Sequence, residues 1–144
     1  MKDFFFVTHD ILDHSHYINL VTEACYGAVA SFLGTVRSPN AGEVVQYIDY
    51  EGYESMIYTQ MKVVTNLLRE RFDLGHIVLA HRLGRLQPAE ASIAIVISSK
   101  HRKEALLACH EGINLAKERL PVWKHEITDS GSSWVKGITI SRPL

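Results

Sequence analysis

No helix can run through Pro121. The proline falls inside Ile113–Glu126, INLAKERLPVWKHE, whose first half has helical spacing and whose second half, Val122–Glu126, reads as a strand. Proline lacks the N–H that an interior helical turn needs, and its ring clashes with the turn before it, at about 3 kcal/mol or more. The chain must stop a helix here and reverse. Lys117 lies before the break and Lys124 after it, so both ammonium groups can be aimed at one point in space. A lysine pair beside an aromatic residue, Trp123, suits anion binding and proton transfer. A simpler purpose also fits, because Lys117 and Arg119 occupy a last helical turn, where the macrodipole favours cations by roughly 0.3–1 kcal/mol each. The rest of the chain decides between the two.

A chain of 144 residues is long enough for one domain with a sizeable core. The net charge of −1 argues against a nucleic-acid binder, whose footprint is a strongly basic face, but leaves room for a local basic pocket. Cys25 and Cys109 form no CxxC, so a disulfide framework or zinc knuckle is unsupported, and reduced, partly buried thiols of a cytoplasmic protein are expected. The run Phe4–Val7 is too short for a signal-peptide core or a membrane span.

Phe4–Thr8 reads as a first strand. Asp13 or Ser15 caps a helix through about Cys25, ended by Gly27. Gly27–Arg37, GAVASFLGTVR, is apolar almost throughout, which predicts a strand buried on both faces or central in a sheet. A turn-rich loop, Arg37–Gly42, leads to a strand at Val44–Tyr53. Neither face of that strand is purely apolar, so it is expected to border a site or an interface. Glu54–Phe72 is the clearest helix, with Ile57, Met61, Val64 and Leu68 as its stripe. His76–Leu83 reads as a strand, Gly84–Glu90 as a connection, and Ala91–Ser99 as a central strand. Ser98 or Ser99 caps a helix over Lys100–Arg119 whose apolar positions are Leu106, Cys109, Ile113 and Ala116. Strands at Val122–Thr128 and Trp134–Ile140 flank a turn at Asp129–Ser132, and residues 137–144 form a loose tail. Helices and strands mix without strict alternation, so the fold class is α+β, a single domain with a mixed sheet and flanking helices.

Three places can carry chemistry. His101-Arg102 stands at a helix start, where free N–H groups attract anions and cationic side chains are unfavourable for the helix itself. Arg37 sits where a strand enters a Pro/Gly loop and can grip a phosphate or carboxylate in bidentate fashion. Lys117 and Lys124 form the third, with His125 and Glu126 able to orient them or relay protons. His81-Arg82, at the end of a strand, can join the basic site, but a structural role is favoured. His14-x-His16 lacks partners and no HExxH occurs, so no metal site is expected. His101 and Lys117 are sixteen residues apart, roughly 24 Å along one helix at 1.5 Å per residue. One small ligand cannot touch both within one subunit unless the helix is broken; either the two sites serve different purposes or, the favoured reading, a symmetric dimer brings one subunit's helix start to the other's lysines.

Five motifs, in order, resemble the catalytic (large) subunit family of molybdopterin synthase. They are GAVASFLGTVR (Gly27–Arg37), YEGYESM (Tyr50–Met56), HRLGRLQPAE (His81–Glu90), SSKHRKEA (Ser98–Ala105) and LAKERLPVWKHE (Leu115–Glu126), followed by Gly131 and Trp134-Val135. The resemblance implies an α/β hammerhead-type fold and a homodimer within a heterotetramer. It implies a small ubiquitin-like sulfur-carrier subunit whose C-terminal Gly-Gly thiocarboxylate enters the large subunit. Sulfur passes to cyclic pyranopterin monophosphate, giving molybdopterin, with no cofactor and no metal in the transfer. It places substrate contacts at Thr35, Val36, Arg37, His101, Arg102, Lys117, Lys124, His125 and Glu126, with Lys117 the principal catalytic residue and Lys124 its assistant. The His-Arg pair comes from the dimer partner. Ser38-Pro39 replaces the family's more usual acidic-plus-His pair, and Ala89 stands where glycine is common. The residues alone also allow a non-catalytic dimeric module binding an anion or a peptide tail, or a lysine-dependent lyase on a phosphorylated metabolite.

Overall fold

The computed structural model describes residues 1–136, with side chains through residue 132. Its elements are β1 (Asp3–Thr8), α1 (His14–Val21), β2 (Ala28–Thr35), β3 (Val45–Gly52), α2 (Glu54–Arg71), β4 (Ile77–Arg82), β5 (Gly84–Leu86), β6 (Ala91–Ser99), α3 (Arg102–Arg119), β7 (Val122–Thr128) and β8 (Gly131–Lys136). They form an α+β fold of two sheets, ordered β1-β4-β6-β2 and β5-β3-β7-β8. Among the described residues only the β1–β4 pairing is parallel. The expected tail lies outside the described residues.

The apolar run of β6 is explained by burial on both faces. Ile95 and Ile97 pack with Ile77 and Leu79 of β4 in the core under α2 and α3, whereas Ala94 and Val96 pack with Val78, Ala80 and the α1 residues Tyr17 and Val21. The α2 stripe of Ile57, Met61, Val64 and Leu68 is fully buried. Each such side chain contributes about 1.5–3 kcal/mol by leaving water.

Several boundaries differ from the sequence reading. Asp13 does cap α1, its carboxylate accepting from His16 N–H at 3.1 Å. The helix ends at Val21 rather than near Cys25, because Thr22 turns extended and both its N–H (3.1 Å) and Oγ1 (2.7 Å) donate to the carbonyl of Ile18. Gly27 is instead a close approach, where a Cβ would meet the backbone oxygen of Lys100 at 2.8 Å. Neither Ser98 nor Ser99 caps α3. Both end β6, Ser98 Oγ accepts from His76 N–H at 2.9 Å, and the N-cap is His101 with no side-chain bond. Leu106 is 61% exposed, and the buried face of α3 runs instead through Ala105, Ala108, Cys109, Gly112, Ile113 and Ala116. The connection after β4 contains a short strand, β5, which joins β3 in the second sheet. The turn before β8 is only Asp129-Ser130, so β8 begins three residues early, and residues 137–140 of the expected strand are not described. Cys25 is exposed, whereas Cys109 is buried and its thiol is pushed up to about 11.

The largest correction concerns β2, which is an edge strand and not a central one. Only Ala30 is buried, and Val29, Phe32 and Leu33 are 37–41% exposed. In β3 a register shift between Val45 and Tyr47 breaks the alternation, so Val45, Ile48 and Tyr50 are all buried.

Ala89 adopts φ 75°, a left-handed conformation that costs an alanine roughly 1–2 kcal/mol. It falls where the resembled family commonly has glycine. Ala89→Gly should therefore raise stability by about 0.5–1 kcal/mol after the entropy that glycine adds to the unfolded chain. A higher urea midpoint at unchanged slope is the expected reading.

Candidate functional site

At the break, Leu120 ends α3 with its N–H on the carbonyl of Ala116 at 2.9 Å, and Val122 N–H then bonds to the carbonyl of Leu120 at 2.9 Å. β7 leaves antiparallel to β3, with Lys124 directly opposite Tyr50. The reversal brings Lys117 and Lys124 into one cavity of about 160 Å³ at the seam of the two sheets. Phe32, Gly34 and Thr35 of β2, His81 of β4, and Ser92 and Ile93 of β6 line it from the first sheet. Tyr50, Val122 and Lys124 line it from the second, and Ala116, Lys117 and Leu120 close the end.

Low-dielectric walls strengthen every charge interaction inside such a cleft. Burial pulls the Lys124 ammonium below the usual lysine range, the Glu126 carboxylate opposes that shift, and the charge of Lys117 adds to it. Lys124 is thus a better acid than a surface lysine and a weaker permanent charge. Burial raises the Tyr50 phenol, so it stays neutral.

His81 is 6% exposed, and its Nδ1 lies 3.0 Å from the carbonyl oxygen of Arg82. A carbonyl only accepts, so Nδ1 carries the proton and Nε2 is the acceptor end. Burial lowers the imidazole to about 4; the Arg82 carbonyl opposes this and the charge of Lys124 adds to it. Below pH 6.5 the unfolded chain takes up a proton that the native state refuses. Stability from this group is complete above pH 6.5 and is lost as pH falls towards 4. Unfolding free energy should drop by about 2 kcal/mol between pH 7 and pH 5 on this account. Urea unfolding at the two pH values checks it, and His81→Gln should flatten that limb.

The other residues singled out in the sequence are distributed unevenly. Thr35 lines the cavity. Val36 is a core residue, 3% exposed, whose N–H donates to the Glu90 carbonyl at 2.9 Å and whose carbonyl accepts from Ala89 N–H at 2.8 Å. Arg37 is exposed outside the cavity and donates from Nη2 to Asn40 Oδ1 at 2.9 Å. Glu126 is 8% exposed and shares a face of β7 with Lys124, because strand side chains alternate. His125 lies on the opposite face, across from Asp49 and Trp134. His101 and Arg102 are exposed at the far end of an unbroken α3, so the roughly 24 Å separation from Lys117 stands. Among the described residues no group of three His, Cys, Asp or Glu side chains could hold a metal, and no helix is long and apolar enough to cross a membrane.

Sequence reasoning missed Tyr50, Ser92, Ile93 and Phe32 as lining residues, and it favoured a structural part for His81, which lines the cavity. One signal was available, namely the mixed faces of the strand that carries Tyr50.

Together these features define an α+β protein with a lysine-paired cleft suited to an anionic ligand. The family model described as MoaE protein matches residues 7–119. The molybdopterin synthase catalytic subunit of Pyrococcus abyssi is 39% identical over 120 residues, covering 83% of this chain and 81% of that one. Its counterpart in Dictyostelium discoideum is 36% identical over 128 residues, covering 88% and 81%. The crystal structure of molybdopterin synthase from Staphylococcus aureus matches with TM-score 0.86 at 30% identity, over 90% of this chain and 95% of that one. The chain belongs to the MoaE family of molybdopterin synthase catalytic subunits.

Proposed function

We propose that this chain is the sulfur-transferring enzyme subunit that converts cyclic pyranopterin monophosphate to molybdopterin in the cytoplasm. The observation that carries the reading is the meeting of Lys117 and Lys124 in one cavity. A small ubiquitin-like partner presents the thiocarboxylate of its C-terminal Gly-Gly to that cavity. Two flexible glycines without side chains suit its narrow volume. The thiocarboxylate sulfur bonds to a pterin side-chain carbon in place of that carbon's oxygen, and water then cleaves the acyl C–S bond, leaving the partner's C-terminus as a carboxylate. Lys117 stabilises the negative charge that develops on the attacked centre or moves a proton there. Lys124, a better acid than an exposed lysine, holds the thiocarboxylate or the intermediate.

Arg37, His101 and Arg102 bind the substrate's phosphate and pterin. Since α3 separates His101 from Lys117 within one chain, the His-Arg pair acts on the partner copy's cavity. The exposed apolar residues of β2 support a homodimer, because an unpaired apolar edge is a template for another chain. Two small carriers on that dimer make the heterotetramer.

The test is reconstitution. The chain is mixed with a thiocarboxylated small partner and cyclic pyranopterin monophosphate, and molybdopterin is read by the fluorescence of its oxidised product. Product that depends on both proteins is expected. Tight partner binding without any product would leave a binding module and overturn the reading.

A further inference from the structure

Between Arg37 and Glu126 stands Asn40, a residue that no motif reading singles out for chemistry. Its backbone is clamped. Asn40 N–H donates to the Glu43 carbonyl at 2.8 Å, and Glu43 N–H returns to the Asn40 carbonyl at 3.0 Å. The two residues between them, Ala41 at φ 51° and Gly42 at φ 79°, supply the left-handed pair that a mirror-image turn requires. The turn is tied to the β7–β8 connection, with Ser130 Oγ donating to Glu43 Oε2 at 2.7 Å and Asp129 N–H to the Val44 carbonyl at 3.1 Å.

The side chain is held at both ends. Arg37 Nη2 donates to Asn40 Oδ1 at 2.9 Å, and Asn40 Nδ2 reaches both carboxylate oxygens of Glu126 at 3.4 Å. Only one orientation of the amide satisfies both neighbours, because a guanidinium has no acceptor and a carboxylate no donor. Asn40 is thus a neutral spacer with opposite polarity at its two ends. Direct contact between Arg37 and Glu126 would form a bidentate ion pair and use up the fork. With the amide between them, one N–H of Arg37 is anchored and the others remain for a ligand.

We infer that Asn40 is a positioning residue of the substrate site, aiming the Arg37 guanidinium at the substrate's anionic group and keeping Glu126 from pairing with it. The inference rests on the proposed reaction, in which Arg37 holds substrate.

The experiment uses the reconstituted synthase with its small partner and reads KM for the pterin substrate separately from kcat. Asn40→Leu should raise KM about tenfold, the weight of a hydrogen bond to a charged group, with kcat little changed. Arg37→Ala should raise KM at least as much, and the double variant no further, since both remove one device. Asn40→Asp sets a carboxylate directly on Arg37, which engages the guanidinium fork, and also against Glu126, so KM should rise here too. A purely structural role for Asn40 would instead add its loss to that of Arg37→Ala. If Arg37→Ala raises KM and Asn40→Leu does not, or the two effects add, this inference alone fails. If Arg37→Ala leaves KM unchanged, the substrate role of Arg37 fails and the inference falls with it.

Discussion

Replacing Lys117 by alanine should reduce product formation by at least about a hundredfold while leaving the fold intact, the scale on which removing one preorganised charge-stabilising group acts. Lys117 comes from the last turn of α3 and lies beside Ala116 at the closed end of the cavity. An alanine there removes one of the two lysine cations that line the cavity. The residue has little packing duty, because the buried stripe of α3 is carried by its neighbours Ile113, Leu115 and Ala116. An unchanged urea midpoint alongside the lost activity is the expected combination. Lys117→Arg keeps charge but cannot readily give up a proton. Retained activity in that variant would assign Lys117 to charge stabilisation, and its loss to proton transfer. Wild-type rates from Lys117→Ala would remove Lys117 from the mechanism.

The second large effect concerns stability. Ile95 is fully buried in the middle of β6, beneath the crossing of α2 and α3. Gly112 lets α3 come so close that a Cβ there would meet Leu68 Cδ1 at 3.1 Å and Ile95 Cδ1 at 3.4 Å. A site clamped by two helices and three strands collapses poorly around a void. Ile95→Ala should therefore cost about 3–5 kcal/mol, the upper part of the range for large-to-small core changes. Urea unfolding measures it. A loss near 1 kcal/mol would mean that the helices close over the gap.

What the sequence revealed depended on whether one chain or several elements set the answer. α2 was legible because its stripe repeats at helical spacing and faces one core. β6 was legible because burial on both faces leaves an unbroken apolar run. The same logic misplaced β2, whose run GAVASFLG has that composition although β2 is an edge strand, and composition alone does not distinguish an exposed apolar edge from apolar core. Of the site, Pro121 showed that Lys117 and Lys124 can be brought together, because a broken helix must turn, but it did not separate that pair from a cation-capped helix end. The placement of Arg37 outside the cavity was not legible, since it depends on how β2 joins its sheet, whereas alternation along a strand is by itself enough to set His125 on the face opposite Lys124. His81 gave no sign of its burial beside Lys124, because the packing that makes it neutral comes from β3 and β7.

The order of the first sheet bears on how the chain is made. Its two outer strands, β1 and β2, are synthesised before either inner strand, and Asp3 waits for Ile77 to emerge before it has a partner. Nascent β1 and β2 leave the ribosome with apolar side chains and no sheet to join, during the interval when such segments are most exposed to misassembly. β1 can pair only once β4 has been made and β2 only once β6 has been made, so the sheet closes through contacts far apart in sequence, the kind that slows folding. The cavity walls come from β2, β3, β4, β6, β7 and α3, so a lysine-lined cleft exists only once the last of these, β7, has been made.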